Sequence, residues 1–246
     1  MASPVAFARS LAAYVALSVY VLVFGPPVLL FTLATRRPRA LYRVGEVGAK
    51  IGLWLSGIRV RVRNADRIQQ TRAAVYAVNH TSNVEPPIAF VELSDLFPRL
   101  RILYKAELRK VPILVRAFDI AGFVPLERGN RDQSLPAIER AADALRAGNS
   151  FLIFPEGTRS RTGELLPFKK GGFIMAIKAQ APVVPVAISG ARDAMRKGSL
   201  IIYPARVTIA FGEPISTEGL TLEDRDAVVL RARTAVAAML EENVRC

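Results

Sequence analysis

Residues 74–87 read Ala74-Val75-Tyr76-Ala77-Val78-Asn79-His80-Thr81-Ser82-Asn83-Val84-Glu85-Pro86-Pro87: an apolar run, a polar turn, then a proline pair that suits the first turn of a helix. A short apolar run bounded by turn formers predicts a buried strand. The pattern recurs downstream. Leu100–Tyr104, Gly122–Leu126, Phe151–Phe154, Val183–Ile188 and Arg206–Phe211 are strand candidates, and helices are expected near 84–94, 105–117, 131–147, 171–180 and 221–242. Gly171-Gly172 opens the fourth of these helices, and Thr221 is placed to N-cap the fifth. Upstream, Ile58-Arg59-Val60-Arg61-Val62-Arg63 alternates strictly, as a strand with one buried and one cationic face should. Strands alternating with helices define the expected fold class as α/β, a mixed, largely parallel central sheet flanked by helices. No repeat, low-complexity stretch or Gly/Ser-rich linker divides residues 58–246, which are expected to form one domain.

Residues 1–57 read differently. The stretch preceding Ala34 is apolar almost throughout, and Arg36, Arg37, Arg39 and Arg43 form a basic flank behind it. A straight helix from Leu11 to Ala34 would be about 36 Å long, enough to cross a ~30 Å hydrocarbon core. Gly25-Pro26-Pro27 argues against straightness and predicts two shorter helices meeting at a bend. Insertion into one leaflet, a kinked span and a cleaved leader are the readings open. From Leu41 to Gly57 apolar residues lie on one side and Arg43, Glu46 and Lys50 on another, as in an interfacial helix. The arginine cluster places the rest of the chain on the cytoplasmic face, the inner membrane in a bacterial cell.

Charge agrees with a lipid partner. The chain has 34 Lys and Arg against 21 Asp and Glu, a net charge of +13, on a sequence that is 51% hydrophobic. A strong positive charge points to an anionic partner. No Cys/His finger, RNP-type aromatic strand or basic zipper suggests nucleic acid, so a phospholipid membrane is expected. With one histidine and one cysteine, Cys246, a zinc site would take most ligands from carboxylates, and neither metal nor other cofactor is expected.

The single histidine, His80, lies in the turn after the first buried strand, where open α/β sheets bind ligands. Glu85 follows it by five positions. On one helix the two side chains would point about 140° apart, so the turn must fold Glu85 back. Asn79, Ser82 and Asn83 supply that turn. A carboxylate holding one ring N–H frees the other nitrogen to take a proton from a hydroxyl, so His80 and Glu85 are the candidate catalytic pair. A histidine that only satisfies turn backbone is the bland alternative.

Here the chain resembles the 1-acylglycerol-3-phosphate (lysophosphatidic acid) acyltransferase family, whose first motif is N-H-x-x-x-x-D. Asn79-His80 match, and Glu85 stands in place of Asp with one extra methylene. Lys105-Ala106-Glu107-Leu108, leading to Gly122-Phe123-Val124-Pro125-Leu126-Glu127-Arg128, is similar to the second motif, and Arg128 matches its substrate-contacting arginine. Phe154-Pro155-Glu156-Gly157-Thr158-Arg159-Ser160 is the most specific match. Its glycine, hydroxyls and guanidinium suit anion capture. Lys169 and Lys170 follow at the start of a helix, and Val184-Pro185-Val186 looks like the fourth block. The resemblance implies Asn79, Lys105, Arg128, Glu156, Gly157, Thr158, Arg159 and Lys169 as substrate-binding residues, with the acceptor's phosphate on the third block and Glu156 ordering the loop.

The implied reaction transfers an acyl group from a thioester, acyl-CoA or acyl carrier protein, to the free hydroxyl of lysophosphatidic acid. No G-x-S-x-G elbow is present, so no acyl-enzyme is required. Another acceptor, such as glycerol 3-phosphate, and a non-catalytic lipid-binding role are the rival readings.

Overall fold

The computed structural model describes residues 4–110, 112–126 and 131–245. It opens with two helices, α1 (Pro4–Thr35) and α2 (Arg39–Leu55). They run antiparallel: the Tyr20 hydroxyl donates to Val44 O at 2.9 Å, and Arg9 Nε donates to Leu55 O at 2.9 Å. Close approach depends on two glycines one turn apart. A Cβ on Gly48 would fall 2.8 Å from the Tyr20 ring, and one on Gly52 would fall 2.9 Å from Leu17.

The expected break at Gly25-Pro26-Pro27 does not occur, and α1 continues through both prolines for 32 residues. Proline's fixed φ is itself helical, so the defect is two missing donors and two crowded carbonyls. A long helix flanked by α2 absorbs that. By length and composition α1 is able to cross a membrane, and Phe7, Leu11, Val15, Leu22 and Leu30 are among the large apolar residues it leaves exposed. In α2, Glu46 is buried and not on an open polar side; it accepts from Lys50 Nζ at 2.6 Å and from Arg43 Nη1 at 3.3 Å.

Seven strands form one sheet: β1 (Ile58–Arg63), β2 (Val75–Val78), β3 (Leu100–Lys105), β4 (Val124–Leu126), β5 (Ser150–Ile153), β6 (Val183–Ser189) and β7 (Ala205–Phe211). Their order is β1-β7-β6-β2-β5-β3-β4, and every pairing is parallel except β6 with β7. This is the mixed, largely parallel sheet expected. On the edge strand β1 the alternation is only half expressed: Ile58 is buried, but Val62 is exposed.

The helices are α3 (Glu85–Glu92), α4 (Pro112–Ile120), α5 (Arg131–Arg146), α6 (Gly171–Ala179), α7 (Ala191–Ala194) and α8 (Arg225–Arg245). α7 was not anticipated, and the helix expected from 105 begins as a 3-10 turn, Ala106–Lys110. Thr221 caps a 3-10 turn leading into α8, accepting from Glu223 N and donating its own N–H to Asp224. Strand side chains alternate between two cores. Tyr76, Val78, Leu152 and Val186 pack with Ile88 and Ala89 of α3, while Val75, Ala77, Phe151 and Val183 pack with residues of α5, α6 and α8. Because β2, β5, β6, β3 and β4 are parallel, the segments leaving their C-terminal ends share one edge of the sheet.

Candidate active site

The segment leaving β2 is pinned first by Asn79. Its Nδ2 donates to Ile188 O at 3.0 Å and its Oδ1 accepts from Ile188 N at 2.7 Å, so both ends of the buried amide are engaged by β6. Asn79 therefore holds the loop to the sheet, with one bond at each end of the amide. Ser82 adds a second tie, its hydroxyl donating to Met195 O at 2.7 Å.

The turn between them returns Glu85 to the ring. His80 Nδ1 lies 2.8 Å from Glu85 Oε2. The Glu85 side chain is 0% exposed, and its other contacts are donors: Thr81 N at 3.0 and 2.8 Å from the two oxygens and Thr81 Oγ1 at 2.6 Å. Those contacts suit an ionised carboxylate, which only accepts, and Glu85 is also the first residue of α3, where the helix dipole favours negative charge. The longer glutamate thus makes the contact, with Thr81 filling its remaining acceptor sites. With Nδ1–H as donor to the carboxylate, the neutral ring carries its lone pair on Nε2, which makes no hydrogen bond among the described residues. The ring stays partly open to solvent and leans on Phe154, centroids 4.4 Å apart.

Phe154 begins the loop leaving β5, which is sewn to the histidine loop. Glu156 Oε1 accepts from His80 N at 2.5 Å and Oε2 accepts from Leu166 N at 3.0 Å, while Ser160 N donates to His80 O at 2.8 Å. Glu156 thus bridges the two segments through their backbone N–H groups. Burial is the main cause that pushes its carboxyl up to about 7, opposed by the two backbone donors. Gly157 turns with φ +69°, and a Cβ there would lie 2.9 Å from Lys169 Cε. The loop thereby presents three groups. Arg159 is half-buried and its guanidinium makes no hydrogen bond or ion pair among the described residues. Lys169 is exposed beside Gly157, whereas Lys170 is held by Asp226 at 2.7 Å. Thr158 is exposed, with its hydroxyl already accepting from Lys197 at 3.1 Å. Lys105 closes β3, but its side chain, like all of Arg128, lies outside the described residues.

An apolar groove of about 600 Å³ runs between α1 and α2 and ends at Asn83, Val84 and Pro87, directly beside the histidine loop. Among the described residues no group of three His, Cys, Asp or Glu is set to hold a metal.

The acyltransferase family model matches residues 59–189, more than half the chain, and takes in both hydrogen bonds that tie the histidine loop to the loop leaving β5. The chain belongs to the acyltransferase family. It is 33% identical over 176 residues to the 1-acyl-sn-glycerol-3-phosphate acyltransferase of Cocos nucifera, covering 71% of this chain and 55% of that relative. To the alpha enzyme of the same name from Mus musculus it is 30% identical over 192 residues, 77% of this chain and 66% of the relative. The chain therefore spans between about a half and two thirds of these curated relatives' length. The crystal structure of the 1-acyl-sn-glycerophosphate (LPA) acyltransferase PlsC from Thermotoga maritima superposes with a TM-score of 0.81 at 25% identity, covering 96% of each chain.

In this member of the acyltransferase family, sequence reasoning missed the outer supports. Arg233 of α8 donates to Leu165 O at 2.9 Å and Leu166 O at 3.4 Å, holding the segment whose Leu166 N–H reaches Glu156. Lys197 Nζ donates to Arg159 O at 2.7 Å. Thr81 carried the only local signal, a hydroxyl four residues before the carboxylate it meets.

Proposed function

We infer that the protein transfers a fatty acyl group from a thioester, acyl-CoA or acyl carrier protein, to the free hydroxyl of 1-acyl-glycerol-3-phosphate, giving phosphatidic acid. The observation that carries this reading is the His80 Nδ1–Glu85 contact at 2.8 Å, which leaves Nε2 free beside a loop whose Arg159 guanidinium is unpaired among the described residues. Nε2 takes the hydroxyl proton as the oxygen attacks the thioester carbonyl, with Glu85 stabilising the imidazolium that forms. The tetrahedral intermediate collapses with cleavage of the C–S bond, and Nε2–H returns its proton to the departing thiolate. One ester and one free thiol result, and no acyl-enzyme is needed.

Arg159 and Lys169 suit the acceptor's phosphomonoester, the first as a planar fork and the second as a point charge. Membrane association at the cytoplasmic face is part of the reading, supported by the apolar surface of α1 and the arginines at residues 36, 37, 39 and 43. A panel of acceptors with labelled acyl-CoA and acyl carrier protein tests it. Phosphatidic acid is the expected product from lysophosphatidic acid; preferential acylation of glycerol 3-phosphate or of a lysolipid lacking the phosphomonoester overturns the acceptor assignment.

A further inference from the structure

The segment between α7 and β7 belongs to none of the motifs, yet it touches three functional parts of the molecule. At its start Met195 O accepts from Ser82 of the histidine loop at 2.7 Å. Two residues on, Lys197 Nζ donates to Arg159 O at 2.7 Å and Thr158 Oγ1 at 3.1 Å, gripping the anion loop. Near its end Ile202 N donates to Ser10 Oγ of α1 at 2.8 Å, and the Ser10 hydroxyl lies 3.2 Å from Ile202 O. The loop is closed at its base by Tyr203 N donating to Ala194 O at 2.8 Å, and Ser199 Oγ accepts from Ile201 N within it at 3.0 Å.

A loop held so firmly nevertheless carries Leu200 at its tip, 74% exposed. The tip is not isolated on a polar surface. Ser10, which meets Ile202, lies between Phe7 and Leu11, 57% and 53% exposed on α1. The same turn of α1 sends Arg9 to Leu55 O, next to Trp54 of α2, itself 75% exposed. Exposed Leu200 and Tyr203 thus flank the Ile202–Ser10 contact along the chain, exposed Phe7 and Leu11 flank Ser10 on α1, exposed Trp54 adjoins the Arg9–Leu55 contact, and Arg196, also exposed, precedes Leu200 by four positions. Apolar tips with Trp, Tyr and cations at one level are what a bilayer's headgroup boundary accommodates.

We propose that the loop from Met195 to Tyr203 is a second lipid contact, inserting Leu200 into the membrane interface beside the α1–α2 hairpin and setting, through Lys197 and Ser82, the depth at which the anion and histidine loops meet a lipid-borne acceptor. The proposal rests on the reading of the hairpin as lipid-embedded, and continuity with its exposed apolar surface is what selects lipid as the occupant. The coupling is direct: the side chain of Lys197 donates to the backbone carbonyl of Arg159, the residue assigned above to the acceptor's phosphate.

Trp54 is the chain's single tryptophan, which allows a clean test. The full chain and the double variant Trp54→Phe/Leu200→Trp are reconstituted in phosphatidylcholine–phosphatidylglycerol vesicles whose acyl chains carry bromine near the glycerol end or near mid-chain. Quenching of both tryptophans, with the one at 200 quenched more by the shallow bromines, is the expected result. Quenching at 54 but not at 200 overturns the proposal and leaves the hairpin reading standing; quenching at neither overturns both. Shielding at 200 that disappears as the protein is diluted in lipid means that a second copy covers the loop, which also overturns it. In parallel, Leu200→Asp is expected to raise KM for vesicle-borne lysophosphatidic acid about tenfold, the loss of one buried leucine contact, with kcat on a dispersed short-chain acceptor unchanged. A fall in that kcat instead assigns the loop a purely structural role.

Discussion

At the scale of single residues the account turns on two carboxylates with different work. Glu85 is satisfied by Thr81 and the ring, so Glu85→Gln places an amide where every neighbour donates. Turnover should fall about a hundredfold, the low end of what general base catalysis supplies, with acceptor KM little changed; steady-state kinetics on reconstituted protein measures it. Glu156 is held by backbone donors and raised to about 7 by burial, above its ordinary 4.5. Between those values the folded protein binds more protons than the unfolded chain, so this group's contribution to stability falls as pH rises from about 4.5 to 7. Melting temperatures across that window should decline with pH in the parent and decline less in Glu156→Gln; identical slopes would remove Glu156 as the source. The His80–Glu85 contact was legible because an offset of five forced a returning turn. The tie of Asn79 to Ile188 was not, since its partner is 109 positions away and invisible to local pattern.

At the scale of elements, the anion loop depends on a helix that no motif marks. Arg233→Ala removes both hydrogen bonds to Leu165 and Leu166 and should lower kcat/KM about tenfold, with Arg233→Lys recovering part of it. Recovery by lysine distinguishes a positioning contact from general loss of α8 packing. The hairpin depends on small residues in the same way. Gly48→Val puts methyl groups where the Tyr20 ring lies and should cost about 1–3 kcal/mol, read as a lower melting temperature in detergent. Six strands were legible as short, largely apolar runs, and β1 by its strict alternation. The unbroken α1 was not, because proline counts against a helix locally while the neighbouring α2 lies outside any local window. α7 is a single turn, too short to show a period.

At the scale of the whole molecule, one edge of a largely parallel sheet collects the histidine loop, the anion loop and the mouth of an apolar groove between the two N-terminal helices. The layout places a proton acceptor, cationic groups and an apolar slot within one short stretch of surface, as acylation of an anionic lysolipid requires. Motif order along the chain made this class of site legible, but depth relative to lipid was not, since it depends on which distant segments share a level of α1. The central claim is that Nε2 of His80 is the base. Transfer of labelled acyl groups from acyl-CoA to 1-acyl-glycerol-3-phosphate, measured with vesicle-reconstituted protein and its His80→Ala variant, tests it most directly. The account predicts phosphatidic acid from the parent and a loss of at least about a hundredfold in the variant at equal vesicle binding; turnover retained in the variant would contradict it.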